Sequence, residues 1–154
     1  MELIEAAKAG DAATIERLVA ADPADIDTLG EDGFAALHYA AFQGGVAATR
    51  ALLAAGANPN IVARNTMLVR PLHSAAAVRD VESAEVLLAA GADPDARQQL
   101  GYTALHAAAH NDDDALAALL LRHGADPELR NDQGATARAI AEAREAPAVL
   151  ALLS

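Results

Sequence analysis

The sequence predicts an all-α fold made of stacked helix-turn-helix units joined by short hairpin loops. Three observations predict it. Apolar residues make up 53% of the chain but aromatic residues only 3%, so most of the apolar mass is Ala and Leu, which favour helix. The chain also repeats itself. AALHYAAFQGG (35–45), RPLHSAAAVRD (70–80) and TALHAAAHNDD (103–113) each carry Leu-His followed by x-Ala-Ala, with His38 and His73 35 residues apart and His73 and His106 33 apart. A second phrase keeps the same register: LAAGANPN (53–60), LAAGADPD (88–95) and LRHGADPE (121–128). A fixed period of this size is the signature of a stacked repeat architecture.

One unit justifies the others. In residues 30–64, Gly33 permits a turn and the run Leu37–Ala41 begins a short helix. Gly44-Gly45 ends it, because Gly accepts the left-handed cap. A second helix is expected over about Val46–Ala55, and Gly56 with Asn58-Pro59-Asn60 breaks it. Small Ala40 and Ala41 let the two helices approach closely. The pair is too small to bury its apolar side alone, so it stacks on its neighbours. Asp11 and Asp80 are expected to N-cap the second helices of their units. The two extra residues of the longer period fall in IVARNTMLVR (61–70), which predicts a longer hairpin that projects further. Two partial copies, 3–25 and 132–154, lack the Leu-His phrase, as terminal units of a stacked array do.

These phrases resemble the ankyrin repeat family, whose unit is about 33 residues with a T-P-L-H-x-A phrase. The resemblance covers essentially the whole chain as a single domain: an N-terminal cap over about 1–29, full repeats over about 30–64, 65–97 and 98–130, and a C-terminal cap over about 131–154. The family's Thr is present as Thr103 and Thr136 but is Ala35 and Arg70 elsewhere, and its Pro stands only at Pro71. The resemblance implies a non-enzymatic protein that grips another protein through hairpin tips and the concave face of the first helices. It also implies that His38, His73 and His106 are buried staples between a helix start and neighbouring backbone.

Composition narrows the function further. With 22 acidic against 11 basic residues, the formal charge is −11. A nucleic-acid binder normally shows a basic face, so nucleic acid is excluded as the expected partner, and a basic protein is favoured. There is no Cys, hence no disulfide framework or thiolate chemistry. MELIEAAKAG is not a signal peptide, and no apolar run approaches a membrane span. A cytoplasmic monomer without cofactor is expected. Ten of the eleven basic residues are Arg, and with the Ala content this points to a GC-rich bacterial source. The serines, Ser74, Ser83 and Ser154, lie in no nucleophile elbow, and no phosphate loop is present. His106 and His110, four apart and followed by Asp112, Asp113 and Asp114, form a plausible divalent-metal set on a helix. The repeat equivalence of His106 weighs against that reading.

Carried over by position, the partner-binding residues are Glu31, Asp32, Phe34, Phe42 and Gln43 in the second unit. The third supplies Met67, Leu68, Val69 and Val78, and the fourth Gln99, Leu100, Tyr102, His110 and Asn111. The C-terminal cap adds Asp132, Gln133 and Arg144. Three of the four aromatic residues fall on these positions; Tyr39 is expected in the core. Phe42, Ala77 and His110 are expected to form one row, and Phe34, Val69 and Tyr102 a second. The function read from the sequence is a protein–protein interaction module. One alternative is an inhibitor or immunity protein that neutralises a basic toxin or enzyme. The other is a metal-dependent protein using His106, His110 and the nearby Asp residues.

Overall fold

The structure, a computed structural model, describes residues 2–154. They form ten α-helices, with no strand among the described residues beyond an isolated bridge between Leu29 and Ala35. The chain divides into two compact units, one ending at Ala92 and the other running from Asp93. The first contains α1 (Glu2–Ala9), α2 (Ala12–Ala21), α3 (Ala36–Tyr39), α4 (Gly45–Ala54), α5 (Pro71–Ala77) and α6 (Val81–Ala89). Here α3 packs on α1 and α5, and α4 packs on α2 and α6, giving two layers of like helices. The second unit contains α7 (Ala104–His110), α8 (Asp114–Arg122), α9 (Ala137–Ala143) and α10 (Pro147–Leu152). In it α7 packs on α9 and α8 on α10.

The core follows from the repeated phrases. The two alanines after each Leu-His, Ala40-Ala41, Ala75-Ala76 and Ala108-Ala109, are all buried, as are Leu37, Leu72 and Leu105. The missing Cβ branches allow backbone-close packing, and the leucines supply the apolar mass. Between the helices of a pair an aspartate takes over. Asp11, Asp80 and Asp113 are N-caps, each accepting from a backbone N–H three residues on, at Thr14, Ser83 and Leu116. Such caps satisfy helix-end donors and face the positive end of the helix dipole.

In the second repeat Gly45 stands where α2, α6 and α8 are preceded by that aspartate. There the first helix does not close with a capped turn; it widens into a π turn over Ala40–Gly44. α10 also starts on a residue that cannot cap, Ala146. Asp112, in the preceding unit's turn, accepts from Val149 N–H at 3.0 Å in its place. The run Asp112-Asp113-Asp114 is thereby accounted for by two caps and an acidic residue in the first turn of α8.

The hairpins share one pattern. A backbone N–H donates to a carbonyl four residues on in Gly30→Phe34, Gln98→Tyr102 and Asn131→Ala135, but the corresponding pair in the third repeat, Ala63→Val69, is six apart. The extra two residues therefore lie in the hairpin, between Ala63 and Val69. Neighbouring hairpins bond directly, Arg64 N–H to Gly33 O within the first unit and Asp132 N–H to Leu100 O within the second. Gly33 and Gly101 permit that approach. Both have left-handed φ (+83° and +73°), and a Cβ on either would lie 2.5 Å from the neighbouring hairpin.

Leu72→Ala should cost roughly 2–5 kcal/mol as a core truncation, read from urea unfolding. Excising Thr66 and Met67 should leave a cooperative fold, since two residues of loop length change closure entropy little. Collapse of the excised variant would place the insertion inside the packed repeat instead.

Candidate functional site

The repeated histidine is fixed at the third position of the first helix in its repeat. Its Nδ1 accepts from the N-cap backbone N–H: from Ala35 to His38 at 3.1 Å, from Arg70 to His73 at 3.0 Å and from Thr103 to His106 at 3.1 Å. This is the reach-back half of a capping box, with imidazole in place of a carboxylate. With Nδ1 accepting, Nε2 carries the proton. It donates to the Val69 carbonyl from His38 and to the Ala135 carbonyl from His106, both at 3.0 Å. Each acceptor belongs to the next hairpin. Where the family's threonine is present, as Thr103, its hydroxyl adds a 2.8 Å bond to His106 Nδ1.

Both ring nitrogens of His106 are thus committed to protein partners, and the ring is buried. His110, one turn later, is exposed. A metal bound at His106 would have to break the bonds from Thr103 or the bond to Ala135. Among the described residues no three His, Cys, Asp or Glu side chains are arranged to hold a metal.

The proposed contact residues separate into two classes. Phe42, Met67, Leu68, Val78 and Leu100 are large apolar side chains left exposed, Phe42 by 50%. Phe42 lies in the π turn and Val78 at the C-cap of α5. Glu31, Asp32, Gln43, Gln99, His110, Asp132, Gln133 and Arg144 are also exposed, and Asn111 is half-buried.

The second expected row is different. Val69 is buried; its carbonyl is tied up by His38, and its side chain is not presented. Phe34 and Tyr102 are half-buried, each edge-on to the histidine of its own repeat at centroid distances of 5.4 and 5.7 Å. These three positions act mainly as packing around the staples.

Tyr39 also departs from expectation, being half-buried where core burial was read. Its hydroxyl donates to the Asp32 carboxylate, and Phe34 meets its ring edge-on at 5.8 Å. Lys8 Nζ lies 4.6 Å from the ring centroid and 2.9 Å from Glu5 Oε1. Burial, and then the Asp32 carboxylate, pushes the Tyr39 hydroxyl up to about 12. The bond from Tyr39 holds Asp32 below the usual carboxylate range. Lys8 shares the register of Phe42, because Ala6-Ala7 aligns with Ala40-Ala41; that alignment places it on the face beside Tyr39. Val62 and Leu152 are further exposed apolar side chains that the motif alignment did not single out.

A family model described as Ankyrin repeats (3 copies) matches residues 3–98 and 72–154. The chain belongs to the ankyrin repeat family. No curated protein matches it. Ankyrin repeats are generic protein–protein interaction modules and typically non-catalytic, which agrees with a fold whose buried histidines are all engaged in holding backbone. No helix among the described residues is long and apolar enough to cross a membrane.

Burial of His38 and His106 lowers their pKa from the ordinary 6.5, the bonds to Val69 and Ala135 opposing in part. The unfolded chain then binds more protons than the folded one as pH drops, so stability rises with pH and is lost as pH falls through about 6.5. Urea midpoints should be flat above about pH 7.5 and fall between pH 7 and 5. His106→Gln should lose roughly 1–3 kcal/mol at pH 7 and show a shallower slope; an unchanged slope would mean the ring does not stay neutral in the fold.

Proposed function

We propose that this ankyrin repeat protein binds another protein through the exposed first-helix face and the hairpin tips, with Phe42 as the anchor. One observation carries the reading: Phe42 is a phenylalanine left half exposed, while Leu37 and Leu52 of its repeat are fully buried. Exposed apolar side chains such as Phe42 and Val78 have the chemistry of interface hot spots. The residues proposed alongside it are Glu31, Asp32, Gln43, Met67 and Leu68 in the first unit. In the second they are Gln99, Leu100, His110, Asn111, Asp132, Gln133 and Arg144. Half-buried Phe34 and Tyr102 contribute their exposed edges. The partner is proposed to be basic, because the chain carries −11 and complementary charge steers association.

That same charge favours a second reading, an inhibitor or immunity protein that covers a basic toxin or enzyme. Its mark is fast, steeply salt-dependent association with that partner, as against slower, salt-tolerant binding by a general adaptor.

The test is capture of the partner from an extract of the source cells on immobilised protein, followed by purification of the partner and titration against variants. Phe42→Ala should weaken binding by at least about 2 kcal/mol while costing less than about 1 kcal/mol of folding stability. Equal binding by wild type and variant would remove Phe42 as the anchor. A melt as poor as that of Leu72→Ala would make the ring core.

A further inference from the structure

Within each unit like helices stack on like helices, so a helix pair has one side toward the pair before it and one toward the pair after it. A buried contact tells the two sides apart. The hydroxyls of Thr49 in α4 and Ser83 in α6 lie 3.5 Å apart. Thr49 stands four residues past Gly45 and Ser83 three past Asp80, the residues at which their second helices begin. The fourth position therefore looks forward and the third looks back.

In α2 the backward position is Thr14. With Glu2, Glu5, Ala6, Arg17 and Leu18 it lines a groove of about 480 Å³ on α1 and α2. In the next pair, 34 positions on, the counterparts of Glu2, Ala6, Thr14, Arg17 and Leu18 are Ala36, Ala40, Ala48, Ala51 and Leu52, all buried. The groove is thus the place that another helix pair fills in the repeat that follows. In α9 and α10 it is the forward side that is uncovered. Leu105, Ala109 and Ala117 are buried, but 33 positions on Arg138 and Glu142 are exposed and Leu150 is half-buried. Ala117 and Leu150 hold the fourth position, as Thr49 does. Polar groups suit a unit with no neighbour, but Leu18 and Leu150 keep apolar surface on these two faces.

We propose that a second copy of this chain docks its α9–α10 face into the α1–α2 groove, so that one copy continues the helix layers of the other. Charge and register both select this occupant. In the first-helix layer Arg138 comes over the carboxylates of Glu2 and Glu5. In the second-helix layer Leu150 meets Thr14 and Leu18, as Thr49 meets Ser83. Glu142, which bonds Arg138 at 3.0 Å within one copy, is left to Arg17, the one cation lining the groove. Lys8 already bonds Glu5 at 2.9 Å, so Glu2 carries more of the attraction. Two α1–α2 faces set together would oppose carboxylates, which disfavours that pairing. The contact joins unlike faces, so a pair of copies still shows one free face of each kind and growth is not limited to two. This departs from the monomer expected from the sequence, and it leaves the partner-binding residues proposed above uncommitted.

The experiment is sedimentation equilibrium on the full chain at low salt. The weight-average mass should climb with concentration above that of one protomer and fall back as salt is added. Arg138→Glu, and separately Glu2→Arg with Glu5→Arg, should each lower the association constant at least about tenfold by setting like charges together. An equimolar mixture of the two variants should associate again, because each then meets an opposite charge on the other. That recovery also shows that both variants are folded. A mass of one protomer at every concentration overturns the proposal. So does association that the groove variant leaves unchanged, which would mean that α9–α10 faces meet each other. Loss of association that the mixture does not restore overturns it as well.

Discussion

The structure depends on one side chain used the same way within each compact unit: at His38 and at His106 a neutral histidine accepts from its own helix start and donates to the next hairpin. Backbone groups at helix starts and hairpin ends need partners when buried. A carboxylate at this place could accept but not donate, and would carry a charge into the core. Neutral imidazole does both jobs from one ring, provided the proton stays on Nε2. His38 and His106 show both bonds at 3.0–3.1 Å, and desolvation keeps them neutral.

Once the histidines and the paired alanines take care of cohesion, the residues between them are free to vary. That freedom is visible in the departures. Gly45 replaces the capping aspartate and lets the turn after α3 widen, where Phe42 is exposed. Two inserted residues lengthen one hairpin and bring Met67 and Leu68 to its tip. Leu100 replaces the residue type its turn prefers. Each departure weakens a local preference and presents an apolar side chain, a pattern expected where local rules yield to binding.

The fold was legible in the sequence because it is written several times. Leu-His-x-Ala-Ala and Gly-Ala-x-Pro return in register, so helices, turns and the insertion in 61–70 could be placed from spacing. The cap assignments of Asp11 and Asp80 followed from the same logic. The candidate surface was legible only in part. Exposure of Phe42 and Val78 follows from register, since the positions after the buried alanines face outward. The fate of Phe34, Val69 and Tyr102 does not, because it is set by contact with a histidine ring or by a carbonyl already in use, and both are relations between distant residues. Tyr39 was misplaced for the same reason. Its half-exposed ring is held by Asp32 from the hairpin and Lys8 from α1, partners 7 and 31 positions away.

The most direct measurement is the tautomer and titration of the imidazoles by long-range proton–nitrogen NMR, with and without added zinc. His38 and His106 should appear as neutral rings protonated at Nε2, titrate below the ordinary 6.5, and keep their nitrogen shifts when zinc is added. Rings protonated at Nδ1, ordinary titration near 6.5, or zinc-dependent shifts at His106 would contradict the account, because the histidines would then not be holding the repeats together.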